Sequence, residues 1–269
     1  MSVMRRLTDG RWFARGIVAL ISVSLIGGAA LALHSSQSSS RRDTEARFAS
    51  RATLAAKFIG TYATELTARE ALVAASTLGG SDPTAAFNAN IAAFGFADGT
   101  LLDSAGRALA LWPATPGLIG TDFGAQFVPL QRALLGYVVI SDVEATSLTT
   151  PPMVGFAIPF NTSSGRRVFS GAYLIRSTPL AAFLDDSTTL KNAQLYLTDS
   201  AGVVFAANKT QPSKFETLTQ LNPALGNATV KASTGAFRSG STSYTYVKTP
   251  IPGTPWSYVI AAPTNGVYA

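Results

Sequence analysis

The sequence predicts an α+β fold: an N-terminal apolar helix and a second, long helix lead into two similar modules, each built on a five-stranded antiparallel sheet. Three observations carry this expectation. Asp-Ser-Ala-Gly occurs twice, at residues 103–106 and 199–202, each time between apolar stretches. The Asp and Ser oxygens bond nearby backbone and the Gly supplies a positive φ, so each copy reads as the turn of a β-hairpin. Each hairpin is then followed by three apolar stretches in the same order, at 137–140, 153–160 and 168–175 after the first and at 235–238, 243–248 and 256–261 after the second. Finally, Phe48, Ala52, Ala55, Ile59, Tyr62 and Leu66 alternate spacings of four and three, which aligns them on one helix face.

Composition narrows the function. A chain of 269 residues with 47% hydrophobic and 13% charged content has ample material for folded cores. Arg5, Arg6, Arg11 and Arg15, set against Asp9, account for half of the formal charge of +6. The remainder is too dilute for a nucleic-acid footprint, so no nucleic-acid partner is expected. There is no Cys, which excludes a disulfide framework and a thiol nucleophile. The single His34 lies at the end of the apolar segment, leaving the globular part without a Ser-His-Asp triad or a His-rich metal site.

Taken in order, residues 16–33 carry no charge and as a helix span about 27 Å at 1.5 Å per residue, enough to cross a bilayer. The preceding arginines place the N-terminus in the cytoplasm and the rest outside. A cleaved signal peptide is the rival reading, with Ala30-Leu31-Ala32 as the cleavage site. The length of the apolar run favours a retained anchor. The expected divisions are a cytoplasmic N-terminus at 1–15, a transmembrane helix at 16–34, a long stalk helix at 35–80, a membrane-distal module at 81–184 and a membrane-proximal module at 185–263. Residues 264–269 would approach a second membrane helix. Within the stalk, Ser35 to Ser40 reads as a polar link, with the helical pattern starting at about Arg41 and ending at Gly79-Gly80. A second helix follows over 83–94 with Asp82 as N-cap. Residues 112–135 carry turn signals and a short helical stretch from Phe127, and such a segment is expected to cover one face of the first sheet with room beneath it for a small ligand. Residues 177–184 read as a connecting helix, and 209–226 as the cover of the second sheet.

The anchor, the long outer helix and the two PAS-like modules together resemble the double Cache sensor domains of bacterial receptors, over about residues 41–263. The stretches 136–143, 154–160, 169–175 and 252–259 carry the resemblance. It implies a small molecule bound in the distal module, a homodimer through the Ala-rich face of the long helix, and a signal passed to a cytoplasmic methyl-accepting, histidine kinase, diguanylate cyclase or phosphatase domain. The amino-acid-binding members carry an Arg-x-Trp-Tyr motif and an Asp on the last distal strand. Here the corresponding positions hold Gln131 to Tyr137 and Tyr173, which points away from a free amino acid and leaves a different metabolite open, a carboxylate or a more apolar compound among them. The resemblance makes Trp112, Arg132, Tyr137, Phe156 and Tyr173 the candidate ligand contacts, although aromatics in strands serve equally as core and Arg132 as a solvated helix residue.

No Walker loop, G-x-G-x-x-G, G-x-S-x-G elbow or EF-hand loop occurs in the chain. The adjacent Asp185-Asp186 reads as a solvated helix end. No enzymatic activity, cofactor or metal is therefore expected. An envelope protein that binds or adheres without signalling is the alternative from another class.

Overall fold

The computed structural model describes residues 9–144, 151–209 and 211–268, with side chains from residue 41 onward. Its first helix, α1, spans Asp9–Thr77. The polar link expected at 35–40 is corrected, because the backbone is helical through it. Serine costs at most about 0.7 kcal/mol per residue against alanine in a helix, and neither Pro nor Gly interrupts this stretch. The transmembrane segment expected at 16–34 lies outside the residues described with side chains. Among the described residues no helix is long and apolar enough to cross a membrane.

The chain divides into two compact units. In the one that ends at Arg47 and includes Tyr268, Arg41 pairs with Glu45 at 3.4 Å and lies 5.1 Å from the centre of the Tyr268 ring. The unit from Phe48 to Val267 holds both sheets.

In this second unit α1 buries Phe48, Ala52, Ala56, Ile59, Ala63, Thr67, Glu70 and Ala74. The stripe advances by four, four and three residues, an eleven-residue recurrence. Of the expected face, Phe48, Ala52 and Ile59 are buried, while Ala55, Tyr62 and Leu66 lie half-buried at its edge. Small residues take the centre because they let the helix backbone come close to what it packs on. At Gly60 a Cβ would stand 2.5 Å from the carbonyl oxygen of Pro252. At the far end Arg167, itself buried, donates to the carbonyls of Leu78 and Gly80 at 2.6 and 2.8 Å. The Leu78 carbonyl directly follows the last residue of the helix, where carbonyls lack intrahelical partners, and that of Gly80 lies just beyond it.

Helix α2 (Thr84–Phe94) ends at Gly95 with φ 74°. Pro83, not Asp82, holds its N-cap position; the Asp82 carboxylate accepts a 3.4 Å hydrogen bond from the Thr84 amide. The first sheet comprises β1 (Asp98–Leu102), β2 (Ala108–Trp112), β3 (Val139–Glu144), β4 (Met153–Thr162) and β5 (Gly165–Tyr173), with α3 (Val128–Leu134) between β2 and β3. Helix α4 (Pro179–Asp186) leads to β6 (Gln194–Thr198) and β7 (Val204–Ala207). Then come α5 (Leu218–Leu221), α6 (Pro223–Lys231), β8 (Thr234–Ser239), β9 (Thr242–Pro250) and β10 (Ser257–Pro263). The strand orders are β2-β1-β5-β4-β3 and β7-β6-β10-β9-β8, so the two sheets have one topology, antiparallel throughout.

The repeated tetrapeptide closes the first hairpin of each sheet in the same way. Asp103 Oδ1 accepts from the amides of Ala105 and Arg107 at 2.9 Å, Asp199 Oδ1 accepts from Val203 at 2.8 Å, and Gly106 and Gly202 both sit at φ 81°. Each sheet has its own cover. Leu130 and Ala133 of α3 pack with Leu102, Ala108, Val139, Ala157 and Val168, while Leu218 and Leu225 pack with Val204, Tyr246, Val259 and Ala261. Tyr137 and Val138, read as strand, are exposed, and β3 begins one residue later.

Candidate functional site

A cavity of about 260 Å³ lies between the first sheet and the segment that covers it. Its floor follows from strand register. Asp98 pairs with Ala172 and Thr100 with Ser170, while Gly155 and Ala157 pair with the same two residues from the other side. Side chains alternate across a sheet, so this set shares one face. At the centre of that face β4 and β5 carry only Gly155, Ala157, Ser170 and Ala172, which leaves the floor hollow, with Met153 at its edge. Leu111, Trp112, Phe123, Phe127 and Leu130 supply apolar walls, and the Phe123 and Phe127 rings stack 5.9 Å apart.

Two carboxylates flank this floor. Asp98 opens β1 and Glu144 closes β3, strands held apart by β5 and β4. Glu144 folds toward Gly155, where an added Cβ would lie 3.1 Å from Oε1. Burial pushes the pKa of Asp98 up, opposed by a hydrogen bond from the Gly99 amide. Burial likewise raises that of Glu144, against a hydrogen bond from Ser141 and with a further upward push from the charge of Asp98. Among the described residues neither carboxylate has a Lys or Arg partner, and no Lys, Arg or His lines the cavity. No group of acidic or His side chains among the described residues could hold a metal ion.

Of the five residues proposed from sequence, Trp112 and Phe156 line the cavity. The Phe156 ring itself packs edge-on against Tyr173 and Trp256, with centroids 5.4 and 6.2 Å away. Tyr173 does not line the cavity. It sits an odd number of positions from Ser170 and Ala172 and therefore faces α1, where its hydroxyl donates to Glu70 Oε1 at 2.7 Å. Arg132 and Tyr137 are exposed, the guanidinium 5.9 Å from the ring centre, because α3 turns Leu130 and Ala133 inward and Arg132 to solvent. Sequence reasoning missed Asp98 and Glu144. The parity of Asp98, Thr100 and Leu102 was a signal for the first; nothing local marked the second.

No family model matches the sequence, and no curated protein matches it. Solved structures do match the fold. The sensory domain of the Campylobacter jejuni chemoreceptor Tlp3, with isoleucine bound, superposes with a TM-score of 0.59 at 10% identity, over 86% of this chain and 97% of that one. The ligand binding domain of the Pseudomonas aeruginosa amino acid chemoreceptor PctC, in complex with GABA, gives 0.56 at 18% identity, over 81% and 99%. An extracellular ligand binding receptor from Desulfohalobium retbaense gives 0.55 at 12% identity, over 79% of this chain, which spans only 39% of that receptor. The chain thus has the fold of the sensory ligand-binding domains of bacterial chemoreceptors, the fold that its resemblance to double Cache domains implied.

Proposed function

We propose that the chain is the extracytoplasmic small-molecule-sensing part of a membrane receptor, not an enzyme, with its ligand held in the cavity of the first module. The observation that carries this is the cavity itself: apolar walls and a few converging polar groups under a covering segment form the usual shape of a ligand site. The similar structures solved with isoleucine and with GABA support a small-molecule occupant. In this reading residues 16–34 anchor the chain, and α1 relays a change at the first sheet past the second and into the membrane. A homodimer through α1 belongs to the same reading.

The test is a thermal-shift screen of small metabolites against the full chain in detergent. A ligand at a hundredfold over its dissociation constant stabilises by about 2.7 kcal/mol. Replacing Ala172 by Leu fills the floor and is expected to abolish that shift. A ligand that stabilises wild type and Ala172→Leu equally would place binding elsewhere.

A further inference from the structure

We infer that the cavity of the first module takes an organic cation, an amine or quaternary ammonium with no carboxylate of its own, held between Asp98 and Glu144 against the rings of Trp112, Phe123 and Phe127. This rests on the reading of that cavity as the ligand site and names the class of ligand.

The charge balance of the lining decides the class. Among the described residues, two carboxylates reach the cavity and no basic residue does. Basic residues near the first sheet are engaged elsewhere: Arg166 donates to the Leu134 carbonyl at 2.9 Å, Arg167 caps the end of α1, and Arg69 of α1 lies over the Phe94 ring at 5.8 Å. An amino acid entering the cavity would bring a carboxylate to a place already holding two, with no cation to receive it. Unpaired buried charge is strongly disfavoured. A cation instead supplies the counter-charge that Asp98 and Glu144 lack, through hydrogen bonds of the charge-assisted kind.

The walls agree with this. Aromatic faces attract cations through their quadrupole, most strongly where water is excluded. The remaining polar side chains of the lining are hydroxyls, on Thr100, Thr115 and Ser170, which can accept from an ammonium.

The experiment compares matched compounds by calorimetry on the full chain in detergent. Three series share a side chain: 3-methylbutylamine, L-leucine and 4-methylpentanoate; 2-phenylethylamine, L-phenylalanine and 3-phenylpropionate; choline and its neutral analogue 3,3-dimethylbutanol. The expected result is that at least one cation binds, its carboxylated partner binds tenfold or more weakly, and its uncharged or anionic partner does not bind. Asp98→Asn and Glu144→Gln are each expected to weaken the cation tenfold or more. If either variant fails to fold, the selectivity of the wild type still carries the assignment.

Binding of an amino acid or an acid that matches or exceeds that of its amine, and is lost in Ala172→Leu, overturns the cationic class and leaves the cavity as the ligand site. Absence of binding by every compound in the three series overturns both.

Discussion

The indole N–H of Trp256, just ahead of the last strand of the second sheet, donates a 2.8 Å hydrogen bond to the carbonyl of Ser141 on β3 of the first. This joint exists because β3 slips out of register with β4 between Ile140 and Val143. Groups freed from the ladder turn to the second module. The amide and hydroxyl of Ser200 donate to the Asp142 carboxylate at 2.9 and 2.8 Å, and the Val143 amide donates to Asp199 Oδ2 at 3.3 Å. The next residue along is Glu144, at the cavity. One short strand therefore touches both the cavity and the second sheet.

Replacing Trp256 by Phe removes the indole donor and leaves a void at one of the largest fully buried side chains of the molecule. The loss expected is about 2–4 kcal/mol, combining a buried unpaired carbonyl with a cavity. Urea denaturation of wild type and variant measures it. A loss under about 1 kcal/mol would mean the joint contributes little to holding the two sheets together.

Glu70 is fully buried on α1, accepts from Tyr173 through one oxygen and has no partner for the other. Burial pushes its pKa from the ordinary 4.5 up to about 7, against the lowering effect of the Tyr173 hydroxyl. Tyr62 and Arg69 also bear on this site. Between those two pH values the folded chain holds a proton that the unfolded chain has released, so the stability contributed by this group falls as pH rises and is fully lost above about 7. Glu70→Gln is expected to stabilise the protein by about 3 kcal/mol at pH 8 and by almost nothing at pH 4, at about 1.4 kcal/mol per pH unit. Urea unfolding of both proteins across that range checks it, and an advantage that does not grow with pH would refute the assignment.

The two turn glycines share a φ of 81° but not their surroundings. Around Gly202 an added Cβ meets nothing, whereas at Gly106 it would come within 3.0 Å of Gly124 Cα and 3.1 Å of Leu134 Cδ1. Gly202→Ala is therefore expected to cost about 1 kcal/mol from backbone strain alone. Gly106→Ala should cost about 2–3 kcal/mol, since it also overpacks the cover of the cavity. Equal losses in chemical denaturation would show that the cover does not press on the first turn.

Gly60→Ala has a diagnostic sign. In an exposed helix interior this change stabilises by about 0.5–1 kcal/mol. Here the new methyl would stand 2.5 Å from the Pro252 carbonyl, which should convert the gain into a loss of about 1–3 kcal/mol. A higher melting temperature in the variant would mean that α1 does not seat on the loop before β10 as closely as described.

Both sheets were legible because their signals are local. Asp103 and Asp199 announce their turns within four residues, and the order of the strands that follow needs no long-range knowledge. The site was not legible in the same way. Asp98 and Glu144 stand far apart in the sequence and meet the cavity only through the strand order of the sheet, while Arg132 and Tyr137 drew attention by residue type and then packed on one another outside it. The stripe on α1 was displaced by a fraction of a turn because the larger Tyr62 and Leu66 mark a hydrophobic face more loudly than Ala56 and Ala63, which lie at its centre.

The eleven-residue recurrence on α1 gives about 3.67 residues per turn, close to the helix's own 3.6. Its line of contact consequently runs nearly parallel to the axis from Phe48 to Glu70, about 33 Å at 1.5 Å per residue. A rod seated along a straight keel slides or rolls more readily than it bends. In the proposed relay, a displacement imposed beside Glu70 would reach Phe48 with its direction and size little changed.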